Sequence, residues 1–348
     1  MADSQSDTQS VSGVIALSVL RKRLLSIPNL IAVLIAFSVS YFLVVKFDFD
    51  LGGTWETIRQ NNLLWYALAF PVYYMIFPLR AIRWRVLLED SGCSGVTGPG
   101  RISILRLAEI SFLGWFLNTV TIFRMGFLYR CYQLSSRLKS NFALVAGGLF
   151  AERVLDTVVT FGLLGLAALG LLSSHWSPVV SYVLLGGLVT SLVIGGVPMA
   201  MILVGMRPPR FMPERFKEGY GSFRDGTLKS FRRWPRLVVL SLAIWSFETA
   251  RLMLVVESLD LSLSIPMALF VALSASLITH FPITPGGLGL VEAGMTGLLA
   301  MTLAPEEALS VALLDRSINY LSVLAFGGAL FLARSSPALG RRLKWSNR

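Results

Sequence analysis

The stretch His280–Gly294 reads HFPITPGGLGLVEAG, with two prolines and four glycines set between apolar runs. Proline removes a backbone donor and stops a helix, and glycine frees φ, so helix cannot run through it unbroken. The segment is either a loop at the water boundary or irregular backbone held inside a membrane. The rest of the chain decides between these.

The 348 residues are 54% hydrophobic and 15% charged, and the apolar runs are long and continuous. Soluble domains are excluded by this composition, and the short alternating segments of a β-barrel are absent. An all-α polytopic membrane protein is expected, with spans near 28–45, 62–79, 142–172, 178–206, 237–256 and 308–333. Residues 1–26 read as a disordered, basic N-terminal cytoplasmic segment that lacks the pattern of a signal peptide. The net charge of +11 comes from Lys and Arg grouped beside apolar runs. That grouping orients a membrane protein and does not indicate nucleic acid. Cys93, Cys131, His175 and His280 show no metal-ligand spacing, so neither a metal nor a cofactor is expected.

Basic residues fall at 21–23, at Arg80 to Arg106, at Arg137 and Lys139, across 207–236, and at 341–348. The positive-inside rule makes these segments cytoplasmic, and with them both termini. The stretches KFDFDLGGTWE, SSHWS, ESLDLS and LAPEE are acidic or nearly neutral and lie opposite. Two apolar segments then cannot be simple spans. Residues 102–136 have cytoplasmic flanks at both ends, and residues 265–303 have external flanks at both ends. Each is expected to be a re-entrant helical hairpin, and the two enter from opposite sides.

The order of about six transmembrane helices and two hairpins is a three-plus-three inverted repeat, with repeat one near 27–175 and repeat two near 176–333, in a single membrane domain 27–333. Gly126 precedes Arg153 by 27 positions and Gly287 precedes Arg316 by 29, each arginine following an acid. Inverted repeats with broken helices at mid-membrane are an architecture of secondary transporters. Residues 334–348 form a basic cytoplasmic tail.

Ionisable groups within spans cost about 2.5–3.5 kcal/mol each to insert, so they mark functional candidates. Glu152, Arg153 and Asp156 lie in the third span, Glu248 and Arg251 in the fifth, Asp315 and Arg316 in the sixth, and Glu292 follows the opening motif. Arg153 with Asp156, and Glu248 with Arg251, have the i,i+3 spacing of helical ion pairs. These acids and Arg251 are candidates for coupling or ion-pairing. At the first hairpin tip Arg124 and Arg130 flank Gly126 and suit a phosphate. At the second, Pro285 ends one half-helix and Gly286, Gly287 and Gly289 bare amides at the start of the next, another anion site. No Lys-Ser or Lys-Thr follows, which excludes a nucleotide P-loop.

The linker 207–236 carries nine Lys or Arg interleaved with aromatics and is expected to lie on anionic lipid. PLRAIRWRVLL, residues 78–88, is expected to hold its arginines at headgroup level with Trp84 as an interfacial anchor, either anchoring the membrane or contacting a lipid headgroup.

Taken together, RAIRWRVLL, FLNTVTIFRMGFLYR with Asn118, Arg124, Gly126 and Arg130, AERVLD, PITPGGLGLVEAG and LLDRSINY resemble the lysylphosphatidylglycerol synthase transmembrane-region family. The resemblance covers about residues 28–333. It implies a membrane domain that moves lipids or lipid-linked groups between leaflets of the inner membrane, in some members beside a soluble aminoacyl-transferring domain. A stand-alone membrane domain is expected here, and lysyl transfer is not. Phe123 and the Gly126-Phe127 pair depart from the proline and the glycine-glutamate pair that the family commonly carries in its first hairpin.

The leading expectation is a non-enzymatic, flippase-type transporter. Asn118, Arg124, Gly126, Arg130, Arg153, Arg316 and the PGGLG amides would take the lipid phosphate. A membrane glycosyltransferase using polyprenyl-phosphate sugars, with Asp48 and Asp50 outside, and a scaffold for a lipid-modifying synthase are the alternatives.

Overall fold

The computed structural model describes residues 51–93, 96, 101–121, 125–171, 178–205, 214–280 and 284–335. Among these every regular element is a helix. Five stretches are long and apolar enough to cross a membrane: Leu63–Asp90, Phe142–Gly170, Pro178–Leu203, Trp234–Ser258 and Pro305–Arg334. At 1.5 Å per residue they measure roughly 37–45 Å, longer than the hydrocarbon core. The chain is thus a polytopic helical membrane protein. The expected first span, 28–45, lies outside the described residues, as do Asp48, Asp50 and Arg124.

A short α1 (Leu51–Arg59) leads to α2 (Leu63–Tyr74) and α3 (Ile76–Asp90), which meet at Met75. Asn62 caps α2 by accepting from the Leu64 amide at 3.1 Å. The helical path continues past residue 79, where the sequence reading ended the span. The expected headgroup segment is therefore inside the bundle. Arg83 and Trp84 are fully buried, and neither anchors an interface.

Next come α4 (Ile104–Val120) and α5 (Gly126–Leu138), which pack as a hairpin, and the long α6 (Phe142–Gly170). Helix α7 (Pro178–Val204) lies largely exposed along α6. Exposed leucines and valines on such a helix face lipid rather than water. Helix α8 (Glu214–Lys229) packs against α6 and buries Tyr220, while Phe223 stacks beside Phe150 at 5.7 Å. These linker aromatics face protein, whereas Trp234, at the start of α9 (Trp234–Ser258), is exposed.

The second hairpin is α10 (Ile265–His280), a 3-10 turn at Pro285–Gly287, and α11 (Leu290–Leu299). Helix α12 (Pro305–Arg316) then passes through a π turn, Ser317–Leu321, into α13 (Ser322–Ser335). The π turn inserts a residue into the helical register. Three tyrosines of α2 hold it: Tyr66 to Ser317 at 2.5 Å, Tyr74 to Ser322 at 2.8 Å, and Tyr73 to the Asn319 carbonyl at 3.4 Å.

Contacts at the two ends of the bundle show how the hairpins run. At one end Arg233 binds Glu89 and Asp90, Arg334 binds Glu109, and Arg85 donates to the Ile102 carbonyl. At the other end the Asn62 amide donates to the Ser258 carbonyl at 2.6 Å, Ser310 donates to the Thr54 carbonyl at 3.3 Å, and Gly170 abuts Pro266. The α4–α5 hairpin starts and finishes at the first end, the α10–α11 hairpin at the second. Their tips meet inside: a side chain built on Gly286 would stand 3.3 Å from the Thr119 backbone.

Candidate functional site

Two ionic networks lie within the bundle, one beside each hairpin. In the first, α3 presents Arg83 to the face of α6 that carries Glu152 and Asp156, one helical turn apart. Its guanidinium reaches both Asp156 oxygens, at 2.5 and 3.1 Å, and Glu152 at 3.1 Å. This is the two-pronged geometry that a planar guanidinium offers a carboxylate. A further donor goes to Ser241 of α9 at 2.8 Å. Arg130 from α5 takes the second Glu152 oxygen and lies over the Trp84 ring at 4.8 Å. The cluster is sealed at its centre, where Arg83 and Glu152 are buried, while Asp156 and Arg130 keep small exposed edges.

The second network joins α9, α11, α12 and the π turn. Arg251 pairs with Glu248 and Asp315, each at 2.9 Å, and Asn319 donates to Asp315 at 2.6 Å. Arg316 pairs with Glu292 at 2.7 Å and donates to the Gly286 carbonyl at 3.0 Å and to Asn319 at 3.3 Å. Glu292 also accepts from the Gly289 amide at 2.7 Å. That carboxylate therefore caps α11 and anchors Arg316 at once.

Between the hairpin tips is a cavity of about 110 Å³, bounded by Arg80, Glu248, Arg251 and Arg316 together with Trp115, Trp245, Asn118, Asn319 and the Gly286-Gly287 backbone. Each of its arginines lies over an aromatic ring: Arg80 over Trp115 at 4.6 Å, Arg251 over Tyr73 at 5.3 Å, and Arg316 over Tyr320 at 4.5 Å. Stacking on a ring holds a guanidinium flat while leaving its edge free to donate. Arg80 differs from the other two. Its nearest carboxylate, Glu248, is 3.6 Å away, and its guanidinium makes no hydrogen bond among the described residues. Its side chain is only 13% exposed and its one carboxylate contact is this looser ion pair, so most of its five donors are left for oxygens that a ligand or water brings to the cavity.

The sequence-selected residues divide accordingly. Asn118, Gly286, Gly287, Glu248, Arg251 and Arg316 line the cavity, and Asp315 and Glu292 lie directly behind its arginines. Arg130, Glu152 and Asp156 belong to the sealed network instead. Arg153 does not pair with Asp156, because Arg83 occupies that carboxylate. Its guanidinium makes no hydrogen bond or ion pair within reach among the described residues, although Arg130, Glu152 and Asp156 are electrostatic neighbours.

Of the backbone amides expected to face an anion, those of Gly287 and Gly289 are already bonded. Gly287 donates to Thr284, Leu288 to Pro285 and Gly289 to Glu292. The helix start that a phosphate would use is occupied by the protein's own carboxylate. The glycines serve geometry: Gly286 has φ of 59° and lies against the Tyr320 ring, where a side chain would clash. Gly126 lets α5 cross the Gly114 carbonyl of α4 and gives its amide to Asn118 at 3.0 Å. Arg80, Trp115 and Asn319 were not selected from the sequence. The usable signal for Arg80 is its spacing of three from Arg83, within a helix that runs on past residue 79.

Comparison with known proteins agrees that the chain is a membrane protein. The chain is 28% identical over 223 residues to the UPF0104 membrane protein MJ1078 of Methanocaldococcus jannaschii, covering 62% of this chain and 93% of that protein. It is 21% identical to the UPF0104 membrane protein PH1989 of Pyrococcus horikoshii, over 86% of this chain and 96% of that one. It is 24% identical to the glycosyltransferase AglD of Haloferax volcanii, over 73% of this chain but only 46% of that protein. Residues 29–327 match the lysylphosphatidylglycerol synthase TM region across the sealed network, both hairpins and the cavity, and the chain belongs to that family.

Proposed function

We propose that the protein is a flippase-type transporter that passes the phosphate-bearing headgroup of a lipid or lipid-linked group between membrane leaflets. In this reading residues 28–45 add a sixth span and the α4–α5 and α10–α11 hairpins are re-entrant from opposite faces. The two halves form an inverted repeat. The basic end of the bundle lies in the cytoplasm with both termini, in the cytoplasmic membrane. The work is binding and conformational change, without catalysis.

The observation that carries the reading is Arg80. A largely buried guanidinium held only by a loose 3.6 Å ion pair to Glu248, on the wall of a cavity where the two hairpin tips meet, suits an incoming phosphate oxygen. Arg316 keeps unused donor hydrogens toward the same cavity. Glu248, the carboxylate on the cavity wall, can exchange Arg80 and Arg251 with the ligand, which makes it the first choice for a coupling group.

The test is translocation in liposomes carrying the purified protein and fluorescent phosphatidylglycerol, phosphatidylethanolamine or a short polyprenyl phosphate, read by quenching of the outer leaflet. Wild type should accelerate movement of at least one probe. Arg80→Ala should slow it by about 10- to 100-fold, the equivalent of one charge-assisted hydrogen-bonding group. No acceleration of any probe, or equal rates for Arg80→Ala and wild type, would sink the proposal.

A second reading is favoured by the name of one relative, glycosyltransferase AglD. If this chain handles a lipid-linked sugar as donor, radiolabelled sugar from a polyprenyl-phosphate sugar should pass to an acceptor in membranes holding the protein. Loss of that transfer in Asp48→Asn with Asp50→Asn would separate it from the transport reading. A scaffold beside a lipid-modifying synthase predicts that Arg80→Ala leaves synthase output unchanged while the complex assembles.

A further inference from the structure

A separate cluster of charge lies at the base of the first hairpin, away from the cavity. Helix α4 supplies Arg106 and Glu109, α5 supplies Arg137 in its last turn, and α13 supplies Arg334 in its last turn. Glu109 is fully engaged. Arg334 reaches one of its oxygens at 2.7 Å and the other at 2.9 Å, and Arg106 reaches the second at 2.9 Å. Arg137 is within electrostatic reach of Arg106, Glu109 and Arg334. It is exposed and makes no hydrogen bond or ion pair among the described residues. Two guanidiniums thus share a single carboxylate whose two oxygens are both taken, and a third stands nearby without a partner of its own among the described residues, leaving an excess of two positive charges.

The surroundings narrow the ligand. Leu105, next to Arg106, and Leu332, one turn short of the α13 end, are 79% and 60% exposed. On a membrane-spanning chain such side chains meet acyl chains, so the arginines stand where the lipid-facing surface gives way to headgroups. An anionic group here has both its charge partners and a wall for its tails. Like charges brought together without a counter-ion repel, and a phosphate bridging Arg137 to Arg106 or Arg334 removes that repulsion.

We propose that Arg106, Arg137 and Arg334 form a binding site for the phosphate of an anionic phospholipid in the cytoplasmic leaflet, separate from the central cavity. The site clamps the first hairpin to α13 through a resident lipid. It does not depend on whether the cavity transports anything.

The test uses the full chain in detergent, with native mass spectrometry counting retained phosphatidylglycerol, phosphatidic acid and phosphatidylcholine. Wild type should retain the two anionic lipids over phosphatidylcholine. Arg137→Gln, which breaks no hydrogen bond or ion pair among the described residues, should weaken that retention by about tenfold. Arg334→Gln should weaken it as well, whereas Arg80→Ala should leave it intact. Equal retention of phosphatidylcholine, or wild-type retention by Arg137→Gln, would overturn the site. Loss of the lipid in Arg80→Ala would assign it to the cavity and overturn the proposal. If inorganic phosphate binds with the same dependence on Arg137 while no lipid is retained, the ligand is free phosphate and the lipid assignment fails.

Discussion

Beside the first hairpin, Arg130 of α5 reaches out to Glu152 of the following span; beside the second, Glu292 of α11 reaches out to Arg316 of the following span. The layout is the same and the polarity is reversed. In both regions the acid of the acid-arginine pair binds an arginine from another span, Arg83 for Glu152 and Arg251 for Asp315. The regions part in their second member. Arg316 is bound on three sides, to Glu292, Asn319 and the Gly286 carbonyl, whereas Arg153 has no such partner among the described residues. One region is closed around its charges and the other opens onto a cavity. Positions with the same place in the sequence pattern therefore do different work, the first network fixing helices and the second forming the cavity wall.

The widest gap between the regions should appear at Arg83. Arg83→Gln leaves Glu152 and Asp156 without their shared cation in a sealed interior, and breaking a buried pair from one side costs about 3–5 kcal/mol. Unfolding in a graded detergent mixture should show that loss, and a cost below 1 kcal/mol would mean that the network is not sealed. A smaller loss is expected at Arg316. Arg316→Gln removes a charged partner from Glu292 but leaves the carboxylate its cap on the Gly289 amide, so about 2–3 kcal/mol is expected. The same variant should release the Pro285–Gly287 turn, read as faster amide hydrogen exchange there than in α10. Unchanged exchange would remove Arg316 as the anchor of the second tip. The smallest effect belongs to Arg153. Arg153→Gln breaks no ion pair and should change stability by less than about 1 kcal/mol. A cost as large as that of Arg316→Gln would restore the likeness between the two positions.

Much of the architecture was legible because membrane insertion imposes simple rules. Apolar length gave the spans at 142–172, 178–206 and 237–256 to within a few residues of Phe142–Gly170, Pro178–Leu203 and Trp234–Ser258. The prolines and glycines of 280–294 marked the break that the structure places between α10 and α11. The spacing of Glu248 and Arg251 gave a real ion pair, because i,i+3 neighbours on one helix meet whatever surrounds them. The same spacing failed for Arg153 and Asp156. A better-placed guanidinium on α3 claims the aspartate, and no local pattern reports a competitor 73 positions away.

The sequence by itself determined that the chain is helical, lies in a membrane and is interrupted near Gly286, since these follow from hydropathy, length and the backbone limits of proline and glycine. Only the tertiary structure decided which charges neutralise one another and which do not. It showed that Glu292 already caps the Gly289 amide at the helix start expected for a phosphate, and that Arg80, which looked like an orienting charge at a span's end, is the cavity guanidinium held only by a loose ion pair to Glu248. The physical reason is that a buried charge is defined by its partners within a few ångströms, and those partners come from helices far apart in the chain.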